Sequence, residues 1–392
     1  MNYLRVMGVA AWIGVLALPM TGAWRAFQIA TVTLLGGIAF LGMRRLFRAP
    51  SMIAGSVKLL VLIREWRHWR PTPRQQQGWA GVAFAGLLIL PLGLNNYYLD
   101  VLTLAGLYAV LALGLNIVVG MAGLLDLGYI SFYAIGAYSY ALLSTKLGVS
   151  FWIALPIGGL LAAVFGVVLG VITLRLRGDY LAIVTLGFIH IVHLVLNNWD
   201  SVTNGPNGIL GIGRPVIAGF TFSQPLHFYY LILAIALATV FAVNRLNQSR
   251  IGRAWIAIRE DEIAAEAMGV DTTRMKILAF ALGATWAGIA GVFFAGKFAF
   301  ISPESFTFFE TVIVLSMVVL GGMGSIPGVI LGALIVVILP EVLRGFSGYR
   351  MLIFGAALVF MMVFRPQGLI GNPRRKIELH PEDERRLRRI ES

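Results

Sequence analysis

Apolar residues in this chain fall in long unbroken runs, not in the alternation of a half-buried strand or the stripe of a surface helix. Ile277–Gly296 and Val101–Leu125 contain no Asp, Glu, Lys or Arg at all. A bilayer core takes roughly 20 apolar residues per helix. The runs accordingly predict spans near 6–22, 26–43, 79–95, 98–120, 128–145, 152–174, 180–198, 226–243, 277–296, 309–323, 326–342 and 351–364. The expected class is an all-α polytopic membrane protein with about 10–12 transmembrane or re-entrant helices. Runs of this length exclude an outer-membrane barrel, whose strands alternate. Residues 309–342 are the least regular stretch, because the uncharged run Thr311–Pro340 is interrupted by Gly321-Gly322-Met323-Gly324-Ser325-Ile326-Pro327-Gly328. Two short passes or a re-entrant pair are expected there. The first span also resembles a signal peptide (Arg5, then an apolar run to Leu18), although its cleavage site is poor.

Composition agrees with lipid as the solvent. Of 392 residues, 58% are hydrophobic and 12% charged, about half the charge of a soluble domain. Lys and Arg exceed Asp and Glu by 31 to 18, an orientation signal in a membrane protein before it is a sign of anionic partners such as nucleic acid. With the N-terminus inside, 25 of the 31 basic residues fall on the inner side, most of them in 44–74, 245–276 and 365–389. The reading is a multi-pass protein of the bacterial inner membrane with both termini cytoplasmic. Tyr97-Tyr98, Phe151-Trp152, Trp199 and Phe228-Tyr229-Tyr230 sit at expected span ends, as an interfacial aromatic belt does. The basic stretch 44–77 divides an N-terminal hydrophobic unit, 1–95, from a core domain, 96–370, and a polar tail follows at 371–392. Within that stretch, Ser56–Trp69 reads as an amphipathic helix on the inner surface.

Little chemistry is on offer. Cysteine is absent, so disulfides, thiolate metal sites and Cys nucleophiles are excluded. No HExxH, GxSxG or paired catalytic carboxylates occur, and the chain reads as no enzyme. His190 and His193 lie three apart in a span without a third ligand nearby, so no metal is expected. Gly291-Val292-Phe293-Phe294-Ala295-Gly296-Lys297 approaches a phosphate-binding loop, but Phe298 replaces the Ser/Thr and the segment is a span. No cofactor is expected in this chain.

The segment most suggestive of function is Asn244–Lys276. Helix formers run from Arg253 to Met268 and Gly269 stops them. Ile256, Ile263 and Ala267 share one face, Glu262 and Glu266 another. Such a helix suits docking into a groove on a soluble partner, while a linker braced by Arg–Glu pairs fits the same pattern. Gly252–Asp271 resembles the coupling loop of ABC-importer permeases, with Ile263-Ala264-Ala265-Glu266-Ala267 in place of the strict Glu-Ala-Ala triplet. More specifically, the chain resembles the branched-chain amino acid permease family. The match runs through Gly114-Leu115-Asn116 to Asp126-Leu127-Gly128, Asn204-Gly205-Pro206-Asn207-Gly208, Val319-Leu320-Gly321-Gly322-Met323-Gly324-Ser325 and Arg365-Pro366-Gln367-Gly368-Leu369. It covers about 95–370, and the additional N-terminal unit is similar to the M-type subunit of the high-affinity leucine/isoleucine/valine system.

The resemblance implies the ABC-importer permease fold. It also implies a second, H-type permease subunit, two ABC ATPases that bind the ATP and Mg, and a periplasmic substrate-binding protein. The coupling residues would be Gly252, Arg253, Arg259, Glu262, Glu266 and Gly269. Asn116, Asp126, Gly321, Gly322, Gly324 and Ser325 are expected to border the translocation path, because glycine and polar residues break the spans there. Asp126 equally reads as a solvated inner-loop residue. Asn204, Gly205 and Asn207 form a tight turn or a contact for the binding protein. Gly166…Gly170 and Gly328…Gly332 have the spacing of close helix packing. A urea or short-amide importer shares most of these motifs. An ion-coupled transporter would need intramembrane carboxylates, and the spans offer almost none.

Overall fold

The computed structural model describes residues 86–342, apart from 175, 177 and 218, together with 355, 359 and 368–370. The expected spans 6–22 and 26–43, most of 351–364, the Ser56–Trp69 segment and the tail 371–392 lie outside the described residues. The chain divides into two units, Met1–Gly86 and Leu87–Ser392, and every described residue except Gly86 belongs to the second.

Long helices follow one another along the chain. They are α1 (Asn96–Leu115), α2 (Ile130–Leu147), α3 (Phe151–Thr173), α4 (Asp179–Asn198) and α5 (Pro225–Gln248). Two short polar helices come next, α6 (Arg250–Glu260) and α7 (Glu262–Ala267). The order closes with α8 (Thr272–Phe298), α9 (Phe308–Gly321) and α10 (Ile326–Val342). Among the described residues, six helical segments are long and apolar enough to cross a bilayer, and Ile326–Val342 is a shorter apolar helix. The protein is a multi-pass all-α membrane protein.

Burial separates inner from outer helices. Helix α8 lies against α2 and α3, and α1 packs on α5, α8, α9 and α10. Small residues permit this approach. A side chain at Gly166 would meet Ala284 and the Phe280 carbonyl, and one at Gly288 would meet Ala162 and the Gly158 backbone. Gly332 stands against the Met317 carbonyl, and Gly321 and Gly328 face each other across the α9–α10 hairpin. Lipid offers helices no hydrophobic reason to associate, so backbone-to-backbone packing through small residues is the available contact. The two glycine pairs singled out by spacing therefore lie in helix crossings. By contrast, α3 exposes Ile153, Leu160, Val164 and Ile172, and α4 exposes Ile183, Ile191 and Leu194.

Short strands pin the long loop between α4 and α5. Strand β1 (Ile209–Leu210) pairs antiparallel with β4 (Phe300–Ile301), and β2 (Val216–Ile217) with β3 (Phe220–Thr221). Tyr97, Tyr98, Trp152 and Trp199 are exposed at helix ends, where a belt requires them, whereas Phe151, Phe228 and Tyr229 of the expected belt are buried, packed inward on the helix bundle.

Candidate functional site

The polar loop between α5 and α8 folds as two helices, not as the single one expected over Arg253–Met268. Asp261 breaks it. Its backbone is extended, and its Oδ1 accepts from the N–H groups of Ile263 and Ala264 at 2.9 Å each, so it caps α7. An Asp able to satisfy two free amides competes well with helix continuation. Gly269, at φ 86°, then ends α7 as expected. At the other end Ser249 caps α6 by accepting from Gly252 N–H at 3.2 Å. Gly252 is buried against the Leu246 and Asn247 backbone, where no side chain fits.

Burial distinguishes the two sides of the loop. Trp255, Ile258 and Ala265 are buried, whereas Ile263 and Met268 are 67% and 84% exposed. Trp255 donates its indole N–H to the Met275 carbonyl at 2.7 Å and anchors α6 to α8. The two glutamates part company. Glu262 makes an ion pair with Lys276, whose side chain is 5% exposed, so it ties α7 to α8. Glu266 and Arg253 face outward, and the Arg253 guanidinium donates to the Gln248 carbonyl at 3.1 Å. What projects from the loop is thus α7 with Ile263, Glu266 and Met268.

Arg259 points the other way. Its Nη1 donates to the Gly120 carbonyl at 2.7 Å, its Nη2 to Glu260 at 2.7 Å, and its side chain is 15% exposed. Gly120 belongs to a π-helical turn, Asn116–Met121, with which α1 ends. Gly123, at φ 73°, lies under the Arg259 aliphatic stem. Here the expected break in the span is observed, and the freed backbone groups find partners in other elements. Asn116 Oδ1 accepts from Gly324 N–H at 2.8 Å, and Leu127 N–H donates to Thr185 Oγ1 at 2.9 Å. A side chain at Gly120 would collide with both the Asn116 carboxamide and Gly324 N.

The second break is the α9–α10 turn. Gly322 and Gly324 have φ 113° and 81°, and Ser325 Oγ accepts from Gly328 N–H at 3.3 Å. The Arg365–Leu369 motif ends on this turn, with Leu369 and Ile370 N–H bonded to the Leu320 and Gly321 carbonyls at 2.9 and 3.2 Å. Two of the residues expected to border a path, Asn116 and Gly324, are therefore brought together. Asn116 meets Gly324, and Gly120 meets Arg259.

Asp126 lies in the connection between the π-helical turn and α2. It is wholly buried, not solvated. Its Oδ1 accepts from Gly128 N–H at 2.8 Å, while Oδ2 has no partner. Burial raises its pKa to about 7, partly offset by the Gly128 bond. At the far end Asn204-Gly205-Pro206-Asn207-Gly208 makes a compact turn. Asn204 adopts φ 62° and donates to the Gly208 carbonyl at 2.8 Å, Gly205 is buried, and Asn204 and Asn207 are exposed. His193 Nε2 lies 2.9 Å from Asn197 Nδ2, and among the described residues no group of three His, Asp or Glu is placed to hold a metal.

Sequence reasoning missed Trp255, which in a polar loop carries no periodic signal. It also missed Glu310, whose Oε2 accepts from the Tyr108 hydroxyl at 2.6 Å. A carboxylate at the edge of an apolar run was the available sign.

Residues 97–363 match the family model described as branched-chain amino acid transport system / permease component. The high-affinity branched-chain amino acid transport system permease protein LivM of Escherichia coli K12 is 46% identical over 312 residues, 74% of this chain and 73% of the relative. LivH of Salmonella typhimurium LT2 is 27% identical over 69% of this chain and 93% of the relative. A probable LivM of Methanocaldococcus jannaschii is 27% identical over 68% of this chain and 90% of the relative. No solved structure matches.

Proposed function

Since the chain belongs to the branched-chain amino acid transport permease family, we propose that it is the M-type permease subunit of an ATP-binding-cassette importer carrying leucine, isoleucine and valine. It sits in the bacterial inner membrane with its termini and the α6–α7 loop in the cytoplasm. A homologous H-type subunit completes the pore, two ATPases bind ATP and Mg beneath it, and a periplasmic binding protein delivers the amino acid above. Relatives named LivM and LivH both align with this chain, which supports a pair of related permease subunits. The excess of basic residues in the 244–276 loop supports its orientation.

Arg259 Nη1 on the Gly120 carbonyl is the observation that carries the mechanism. Helix α7 presents Ile263, Glu266 and Met268 to an ATPase groove, with apolar contacts for grip and Glu266 for register. Trp255 and the Glu262–Lys276 pair make the loop rigid with α8. When the ATPases close on ATP, the displacement reaches α1 through Arg259. From Gly120 it passes by Asn116 to the α9–α10 turn at Gly324. The gate is the pair of broken segments, because irregular backbone repacks between discrete arrangements more readily than continuous helix. Substrate selection is left to the binding protein, which fits a core without a dense ligand constellation.

Arg259→Ala in the reconstituted four-subunit importer tests this. Leucine uptake into proteoliposomes should fall about tenfold or more, in the range usual for coupling between sites, while ATP hydrolysis persists. Unchanged uptake per ATP hydrolysed would remove Arg259 from the mechanism.

A further inference from the structure

Tyr108 lies twelve residues beyond Asn96 in the 26-residue segment Asn96–Met121, about 18 Å along it and near its middle. Glu310, bonded to Tyr108 at 2.6 Å, shares that depth. Helix α9 has 14 residues, about 21 Å of helix where a bilayer core measures about 30 Å. It belongs to the 19-residue apolar segment Pro303–Gly321, and Glu310 stands in the first turn of α9. Neither Tyr108 nor Glu310 is fully buried, and Phe309 beside the carboxylate is 77% exposed, so the described residues leave this flank of α9 uncovered.

A carboxylate at mid-membrane is costly against lipid. Such groups face a bundle interior or a water-filled cavity and mark ion or substrate routes. The surroundings favour a guest that is cationic at one end and apolar at the other. Tyr133 lies within electrostatic reach of both Tyr108 and Glu310. Its ring stands 5.1 Å from Phe306 and 5.5 Å from Phe294, and Phe306 also contacts Tyr138. The buried hydroxyls of Thr311 and Tyr138 have no hydrogen-bond partner among the described residues. Lys297 is already paired with Asp100 at 2.9 Å, so Glu310 does not serve it.

We infer that Glu310, held by the Tyr108 hydroxyl, is a mid-membrane station that accepts the α-ammonium group of the transported amino acid, with the Tyr133–Phe294–Phe306 rings as the wall for its aliphatic side chain. The inference rests on the permease reading and assigns one subsite within it. Tyr108 occupies one carboxylate oxygen and leaves the other for the ammonium. One carboxylate without a cage keeps the station weak, as a path that must release its cargo requires.

The test uses the complete importer in proteoliposomes with [3H]leucine. Wild type importing leucine on ATP establishes the permease reading, and its failure would take down both. Given a working wild type, Glu310→Gln should lower uptake about tenfold or more while complex assembly and binding-protein affinity are kept, the scale of losing a hydrogen bond to a charged group. Glu310→Asp should recover part of the loss, and Tyr108→Phe should cost less than Glu310→Gln. Because this chain lacks cysteine, Glu310→Cys adds a readout that a structural role would not move. In a complex whose partner subunits are also cysteine-free, a charged, water-soluble thiol reagent should label it, and leucine-loaded binding protein should slow that labelling. Wild-type uptake by Glu310→Gln overturns the inference. So does loss of the assembled complex, which would make Glu310 one half of an ion pair with the neighbouring subunit, and so does a thiol that does not react.

Discussion

Asp126 shows how one side chain ties stability to pH. Its pKa rises from 3.8 to about 7, chiefly through burial, with Gly128 N–H as the opposing contact. Between those values the folded protein holds a proton that the unfolded chain has released, so stability falls as pH rises through that window. Below it both states are protonated and nothing is lost. Above it the folded state carries a buried charge with one unpartnered oxygen. Asp126→Asn keeps the shape without the charge. Its melting temperature in detergent should exceed that of wild type at pH 8 and match it near pH 4, and an equal difference at both pH values would contradict this. The sequence offered Asp126 as either path-lining or solvated. Burial was not legible, because it depends on Thr185 of α4 closing over the connection through Leu127, and no local pattern encodes that contact.

At the scale of elements, the loop between α5 and α8 is two helices because Asp261 satisfies the amides of Ile263 and Ala264. Removing such a cap costs about 1 kcal/mol. Asp261→Ala should therefore speed amide exchange at Ile263 and Ala264 about fivefold, read by hydrogen-exchange mass spectrometry, with α8 unaffected. Unchanged exchange would mean that packing of Ala265, not the cap, sets the break. The long helices were legible because bilayer thickness fixes run length, and glycine spacing pointed to crossings at Gly166 and Gly332. Partners were not legible. Nothing local says that Gly166 meets Ala284 or that Gly332 meets the Met317 carbonyl. Periodicity groups Ile256, Ile263 and Ala267 on one helical face, but the break at Asp261 resets the helical phase, and Trp255, Ile258 and Ala265 are the residues buried.

For the whole molecule, a chain of contacts runs from a loop helix to both interrupted segments. Arg259 bonds Gly120 within a turn whose first residue, Asn116, bonds Gly324. The motifs could be recognised one at a time in the sequence, but the joining of residues 259, 120, 116 and 324 is a property of the fold alone. If these contacts transmit as one unit, breaking either link already disconnects the turn from the loop. Independent contributions multiply, whereas links in series do not. Arg259→Ala and Asn116→Ala should each lower leucine imported per ATP hydrolysed about tenfold, and the double variant should be no worse than the weaker single. Independent links would instead give about a hundredfold loss. Asn116→Ala also strands the buried Gly324 N–H, at about 1–3 kcal/mol, so assembly of the complex must be verified before the ratios are compared. A product of the two single effects, in complexes that assemble normally, would mean that the loop reaches the α9–α10 turn by a route other than α1. Among the described residues α5 offers such a route, because it runs into α6 and packs on α10.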